Sequence, residues 1–197
     1  MKSKTNNTLC FNIEKAKKAV ELLLESFGED LNREGLKHTP ERVANFYKNV
    51  LSGNNVDPLK INHTCYTVKN CNGIILIKNI SFYSICEHHL LPFFGFVDIA
   101  YVPNKNKVIG ISKIVRFIEI FANRLQLQER FAKEIVDAMM QYIKPLGAMV
   151  IVNAEHLCMT MVNTKKSYTT KVVTSFSRGV FLKNKKICSE ALLLLKI

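Results

Sequence analysis

Two short clusters of metal-seeking side chains stand far apart in this sequence: Cys86-Glu87-His88-His89 and His156-Leu157-Cys158. Cysteine sulfur and imidazole nitrogen are the preferred ligands of zinc. If both clusters serve one ion, the fold has to bring two distant segments together at one point. That requirement limits the topology before any helix or strand is assigned. Cys86 and His89 are three residues apart, and Cys158 offers a third donor. Three protein ligands leave the fourth tetrahedral position to water, which is the catalytic arrangement. A closed site with His156 or another group as fourth ligand is the structural alternative.

The chain has 197 residues, 48% of them hydrophobic. That suffices for one large domain or for one domain with a helical extension. No apolar run approaches the roughly 18 residues of a membrane span, and the polar start, Met1 to Thr8, lacks the apolar stretch of a secretory signal. A cytoplasmic protein with no membrane partner is expected. The six cysteines, Cys10, Cys65, Cys71, Cys86, Cys158 and Cys188, are scattered rather than spaced as a disulfide framework. The formal charge of +12 fits nucleic acid, a membrane surface or a phosphorylated small molecule, as well as a solvated Lys-rich surface. Without a dense Lys/Arg block or a nucleic-acid-binding fingerprint, no nucleic-acid partner is expected.

Helical spacing runs from Phe11 to Phe27, with Ala16, Ala19, Val20, Leu23 and Leu24 on one face and Gly28 as the stop. Thr39-Pro40 reads as N-cap and first turn of a second helix through Val43, Phe46, Tyr47 and Val50. Ser52 to Pro58 is a turn-rich break, which predicts a helical N-terminal region over 1–58 and a main domain over 59–197. In the main domain, Cys65–Val68, Gly73–Ile80 and Phe94–Val102 read as strands, the last ending in a hairpin loop at Pro103–Asn106. Two helical stripes follow: Ile114, Phe117, Ile118, Phe121, Ala122 and Leu125, then Phe131, Ile135, Ala138, Met139 and Tyr142. Ala148–Ala154 is short enough for a buried strand, and Tyr168–Ser177 and Gly179–Leu182 have β composition. The order implies an α+β fold, an antiparallel sheet with two long helices on one face.

Three further groups carry chemistry. His88 and His156 flank the metal ligands, and a neutral imidazole passes protons in both directions. Ser112, Lys113 and Arg116 open the first long helix, where free backbone N–H groups and the dipole attract anions. Glu129, beside Gln128, interrupts the apolar stripes, and its carboxylate suits a ligand with adjacent donors, such as the ring N–H and exocyclic amine of guanine.

Together these segments resemble the GTP cyclohydrolase I family. The resemblance is carried by Arg33-Glu34-Gly35-Leu36, Thr39-Pro40-Glu41-Arg42-Val43-Ala44, Cys86 to Phe93, Ile99 to Pro103, Gly110 to Lys113 with Arg116, Phe121 to Arg130, and Glu155 to Met161. It implies a tunnelling fold assembled as a homodecamer with active sites at subunit interfaces. It also implies conversion of GTP and water to formate and 7,8-dihydroneopterin triphosphate, the entry to folate or biopterin synthesis. By position, it implies Cys86, His89 and Cys158 as Zn2+ ligands and His88 and His156 as the proton-transfer pair. Gln128 and Glu129 fall at the guanine contact, and Ser112, Lys113 and Arg116 at ribose and triphosphate. One departure stands out. Val162 occupies the position of a phosphate-holding arginine, and valine makes no charge-assisted hydrogen bond. Lys165 and Lys166 follow closely and are the candidates to replace that charge, with weaker, unforked geometry. The rival expectation is a homologue that binds a nucleotide or partner without catalysis.

Overall fold

The stretch Pro92–Val102 forms β3, the strand on which the rest of the sheet is organised. Its side chains alternate between two faces: Phe93, Val97, Ile99 and Tyr101 enter one core, Ala100 and Val102 another. In this computed structural model, residues 11–58, 65–161 and 170–196 are described. Around β3 stand β2 (Ile75–Cys86) and β6 (Gly147–His156), each antiparallel to it. β7 (Val172–Gly179) pairs antiparallel with β6, and the two-residue β5 (Leu125–Gln126) pairs parallel with β2. The order is β5-β2-β3-β6-β7. The expected antiparallel sheet is therefore mixed, by virtue of that one parallel edge.

α3 (Ile111–Ala122) and α4 (Gln128–Tyr142) pack on one face of the sheet, as their stripes predict. Ile114, Phe117, Ile118 and Phe121 of α3 and Phe131, Ile135, Val136 and Met139 of α4 are buried against Phe82, Val97, Ile99 and Val152. Leu125, placed by its spacing on the first stripe, instead leaves the helix and enters β5 opposite Ile85. Here a non-local strand pairing overrides a local period. A second correction concerns the far face. Gly179–Leu182 is not a strand: the chain turns at Gly179, with φ 62°, into α6 (Val180–Lys183) and then α7 (Lys185–Leu195). A Cβ at Gly179 would lie 2.2 Å from the Leu146 carbonyl oxygen, so only glycine fits that turn. Phe181 and Ala191 then cover Ala100, Val102 and Met149 on the face opposite α3 and α4.

The N-terminal helices are α1 (Ile13–Ser26), capped by the Asn12 side chain, and α2 (Thr39–Val50), which pack against each other. Gly28 ends α1 with φ 80°. Thr39 is the first residue of α2 rather than its cap, and its hydroxyl donates back to the Gly35 carbonyl. A 3-10 turn at Ser52–Asn55 joins this pair to the main sheet: Gly53 N–H donates to Asn123 O, and Arg124 Nε donates to Gly53 O. β1 (Cys65–Thr67) pairs with β4 (Lys107–Ile109) in a separate small sheet. The Pro103–Asn106 loop does reverse the chain: Asn104 and Lys107 form an antiparallel bridge across Lys105 and Asn106, whose φ values are 52° and 61°, before β4 goes on to pair with β1. No helix among the described residues is long and apolar enough to cross a membrane.

Candidate metal centre and active site

Strand register brings the two clusters together. β2 ends at Cys86, β3 begins beside it with Ile85 opposite Pro92, and Phe93 lies opposite His156 at the end of β6. Cys158 follows in a single helical turn, α5 (Leu157–Thr160). His156 and Cys158 thus lie at a strand-to-helix junction, not on one extended strand. The turn after Cys86 is tight: Leu90 N–H donates to Cys86 O, Cys86 N–H donates to Leu91 O, and Leu90 has φ 55°. Ligand atoms of Cys86, His89 and Cys158 all lie within 4.8 Å of one another.

This donor set fits a tetrahedral metal. The two sulfurs are 3.9 Å apart, while Zn–S bonds of about 2.3 Å at the tetrahedral angle put two sulfurs about 3.8 Å apart. Burial, then the adjacent Cys86 sulfur, pushes the Cys158 thiol up from its ordinary value. Two thiolates so close repel, and a divalent cation between them removes that penalty. Without metal, the same proximity exposes the pair to oxidation. Metal-free protein held in air is expected to lose one hydrogen from each thiol to dioxygen and form a Cys86–Cys158 disulfide. Peptide mass spectrometry checks this, and free thiols at both positions after storage would refute it.

His156 lies flat on Phe93, with ring centroids 4.7 Å apart and planes 4° apart. Its Nε2 is 2.7 Å from Gln128 Oε1. Burial holds its pKa below the ordinary imidazole value, with the Glu129 charge opposing. Gln128 is buried and Glu129 exposed at the start of α4, so both join the metal end of the sheet with His156. His88 is exposed, its ring 6.2 Å from that of His89.

Ser112, Lys113 and Arg116 do not join them. α3 begins after β4, where Ile109 N–H donates to Tyr101 Oη at the far end of β3. It ends where Ser84 donates to the Ala122 carbonyl near the metal end. At 1.5 Å rise per residue the two ends are about 17 Å apart. Ser112 and Lys113 therefore start α3 at the end away from the metal ligands, and Arg116 lies midway along it, about 9 Å of helix from Ala122. Val162, Lys165 and Lys166 lie outside the described residues.

A polar brace behind the metal turn is absent from the sequence reading. Arg130 donates to the Glu87 carboxylate, the Gln126 side chain and the Leu125 carbonyl. Gln126, 1% exposed, donates in turn to Phe121 O and Glu134. Glu87 N–H donates to Gln126 O. The available signal was the i, i+4 spacing of Gln126 and Arg130, but their partner Glu87 is non-local. Arg130→Ala is expected to weaken zinc binding about 10- to 100-fold by loosening the turn that carries His89. Arg130→Lys should not restore it, because lysine lacks the fork. Competition with a chromogenic chelator measures both.

Known proteins place the chain in a family. The model of the GTP cyclohydrolase I family matches residues 16–196. The chain is 46% identical over 186 residues to the GTP cyclohydrolase 1 of Pelotomaculum thermopropionicum, covering 94% of this chain and 98% of that one. It is 48% identical over 171 residues to the GTP cyclohydrolase 1 of Clostridium kluyveri, covering 87% and 90%. With the Clostridium perfringens GTP cyclohydrolase 1 it shares 44% over 177 residues, covering 90% and 94%. With its metal-fitting trio formed at the junction of β2, β3 and β6, and with nearly full-length identity of this order, the chain belongs to the GTP cyclohydrolase I family.

Proposed function

We propose that this protein converts GTP and water to formate and 7,8-dihydroneopterin triphosphate, the first step of folate or pterin synthesis. The observation that carries the reading is the convergence of Cys86, His89 and Cys158 beside His156 and Glu129 in a chain of this family. Zinc held by those three residues supplies, when bound, an acidified water at near-neutral pH. The chain's own groups do the rest. Glu129 accepts from the N1–H and N2 amine of guanine, which turns the purine so that C8 faces the metal end. His156, its ring immobilised against Phe93, and His88 move protons as the imidazole ring opens and C8 departs as formate. Several protons change place before the new ring closes, and a neutral imidazole serves as acid or base in turn.

Ser112, Lys113 and Arg116 bind ribose and triphosphate in this reading. The separation of Ser112 and Lys113 from the metal ligands along α3 supports a site completed by a second copy of the chain. A tunnelling-fold subunit in a cytoplasmic homodecamer accommodates that arrangement, with residues 1–58 as a helical region and 59–197 as the catalytic domain. Lys165 or Lys166 replaces the charge missing at Val162. The Lys165→Ala, Lys166→Ala double variant would then bind GTP more weakly, and unchanged affinity would remove that idea. Incubation of zinc-loaded protein with GTP tests the main reading: equimolar formate and a pterin absorbance spectrum are expected. GTP binding without either product would instead favour a non-catalytic nucleotide-binding homologue.

A further inference from the structure

Gln128 is 2% exposed at the first turn of α4, and a buried amide has to satisfy each of its polar atoms. Its Nε2 lies 3.1 Å from the Val152 carbonyl oxygen, 2.8 Å from the Val172 carbonyl oxygen and 3.3 Å from Thr174 Oγ1. Backbone carbonyls only accept, so the nitrogen must face β6 and β7, and the amide has no alternative flip. The oxygen is thereby directed to His156, 2.7 Å from Nε2. An amide oxygen also only accepts, so His156 Nε2 carries the hydrogen. The stack on Phe93 holds the plane of the same ring. One contact sets the ring's plane and the other its rotation within that plane.

We propose that Gln128 is a positioning residue that holds His156 in its Nε2–H tautomer, with Nδ1 as the ring's acceptor nitrogen. The effect expected on turnover rests on the proposed role of His156; the tautomer itself rests on the geometry alone. Gln128 is thereby assigned to the histidine, and the guanine contact is left to Glu129 alone. The amide's hydrogen bonds to β6 and β7 make the tautomer a property of the fold, set before substrate arrives.

The test is magic-angle-spinning NMR of zinc-loaded, 15N-histidine-labelled protein at about pH 8, where imidazoles are neutral. The His156 signals are assigned by their loss in His156→Asn. Protonated Nε2 and bare Nδ1 are expected in the wild type without GTP; protonated Nδ1 would overturn the proposal. The near-isosteric Gln128→Met should give a mixture of tautomers. Its kcat should fall about 10- to 100-fold, while KM for GTP changes less than about 3-fold. A raised KM with kcat retained would overturn the proposal in favour of a base contact. If Gln128→Met does not fold, the wild-type spectrum still decides. That spectrum needs no substrate, so a failure of GTP turnover would refute the proposed reaction without touching the tautomer assignment.

Discussion

Cys158→Ser is expected to lower GTP turnover below about 0.1% of wild type, because Cys86 and His89 alone would hold too weakly the zinc that would acidify water there. The fold should survive. Cys158 lies in a short helical turn at the sheet's rim and is partly exposed, whereas the main core is built from β2, β3, β6, α3 and α4. Chelation of the wild type under a thiol reductant, which keeps Cys86 and Cys158 reduced, should therefore abolish turnover with little change in far-UV circular dichroism, and added zinc should restore activity. In Cys158→Ser, zinc should restore nothing. Parallel measurements of bound zinc, dichroism and formate release check these outcomes. Unfolding on chelation would mean that the metal holds the fold together and would contradict the catalytic assignment.

Phe93→Ala is expected to cost about 3–5 kcal/mol of stability, the range for truncating a fully buried aromatic side chain. Phe93 is 0% exposed, packs edge-on against Phe82 at 5.7 Å and carries the His156 ring on its face. The substitution opens a cavity in the core and removes the surface that fixes the imidazole plane. Phe93→Leu separates the two effects. It keeps most of the volume and should cost less than about 1.5 kcal/mol, but it offers no ring to stack upon. Turnover should remain depressed in the leucine variant even where urea titration shows most of the stability regained. Full activity with leucine at position 93 would show that the stacked geometry contributes packing only.

Local features of this chain were legible from its residues. The apolar stripes of α3 and α4, the stop at Gly28 and the strand character of β3 and β6 are short-range patterns, and each element appears where its pattern lies. The same local logic failed at Leu125, which satisfies a helical period yet pairs with Ile85 in a strand. It also failed to identify α7, whose apolar residues cover a second face of the sheet that the strand pattern did not reveal.

The sequence by itself determined the metal chemistry. Two thiols and an imidazole are the only sense in which Cys86, His89 and Cys158 form a set, and ligand preference is a property of residue type. Tertiary structure alone decided which groups serve those residues. It set Gln128 against His156, clamped Glu87 with Arg130, and put Ser112 and Lys113 at the end of α3 away from the metal ligands. The physical reason is that hydrogen-bond partners and distances across a sheet depend on strand register. Register is fixed by the packing of the whole core, and no local stretch of sequence encodes it.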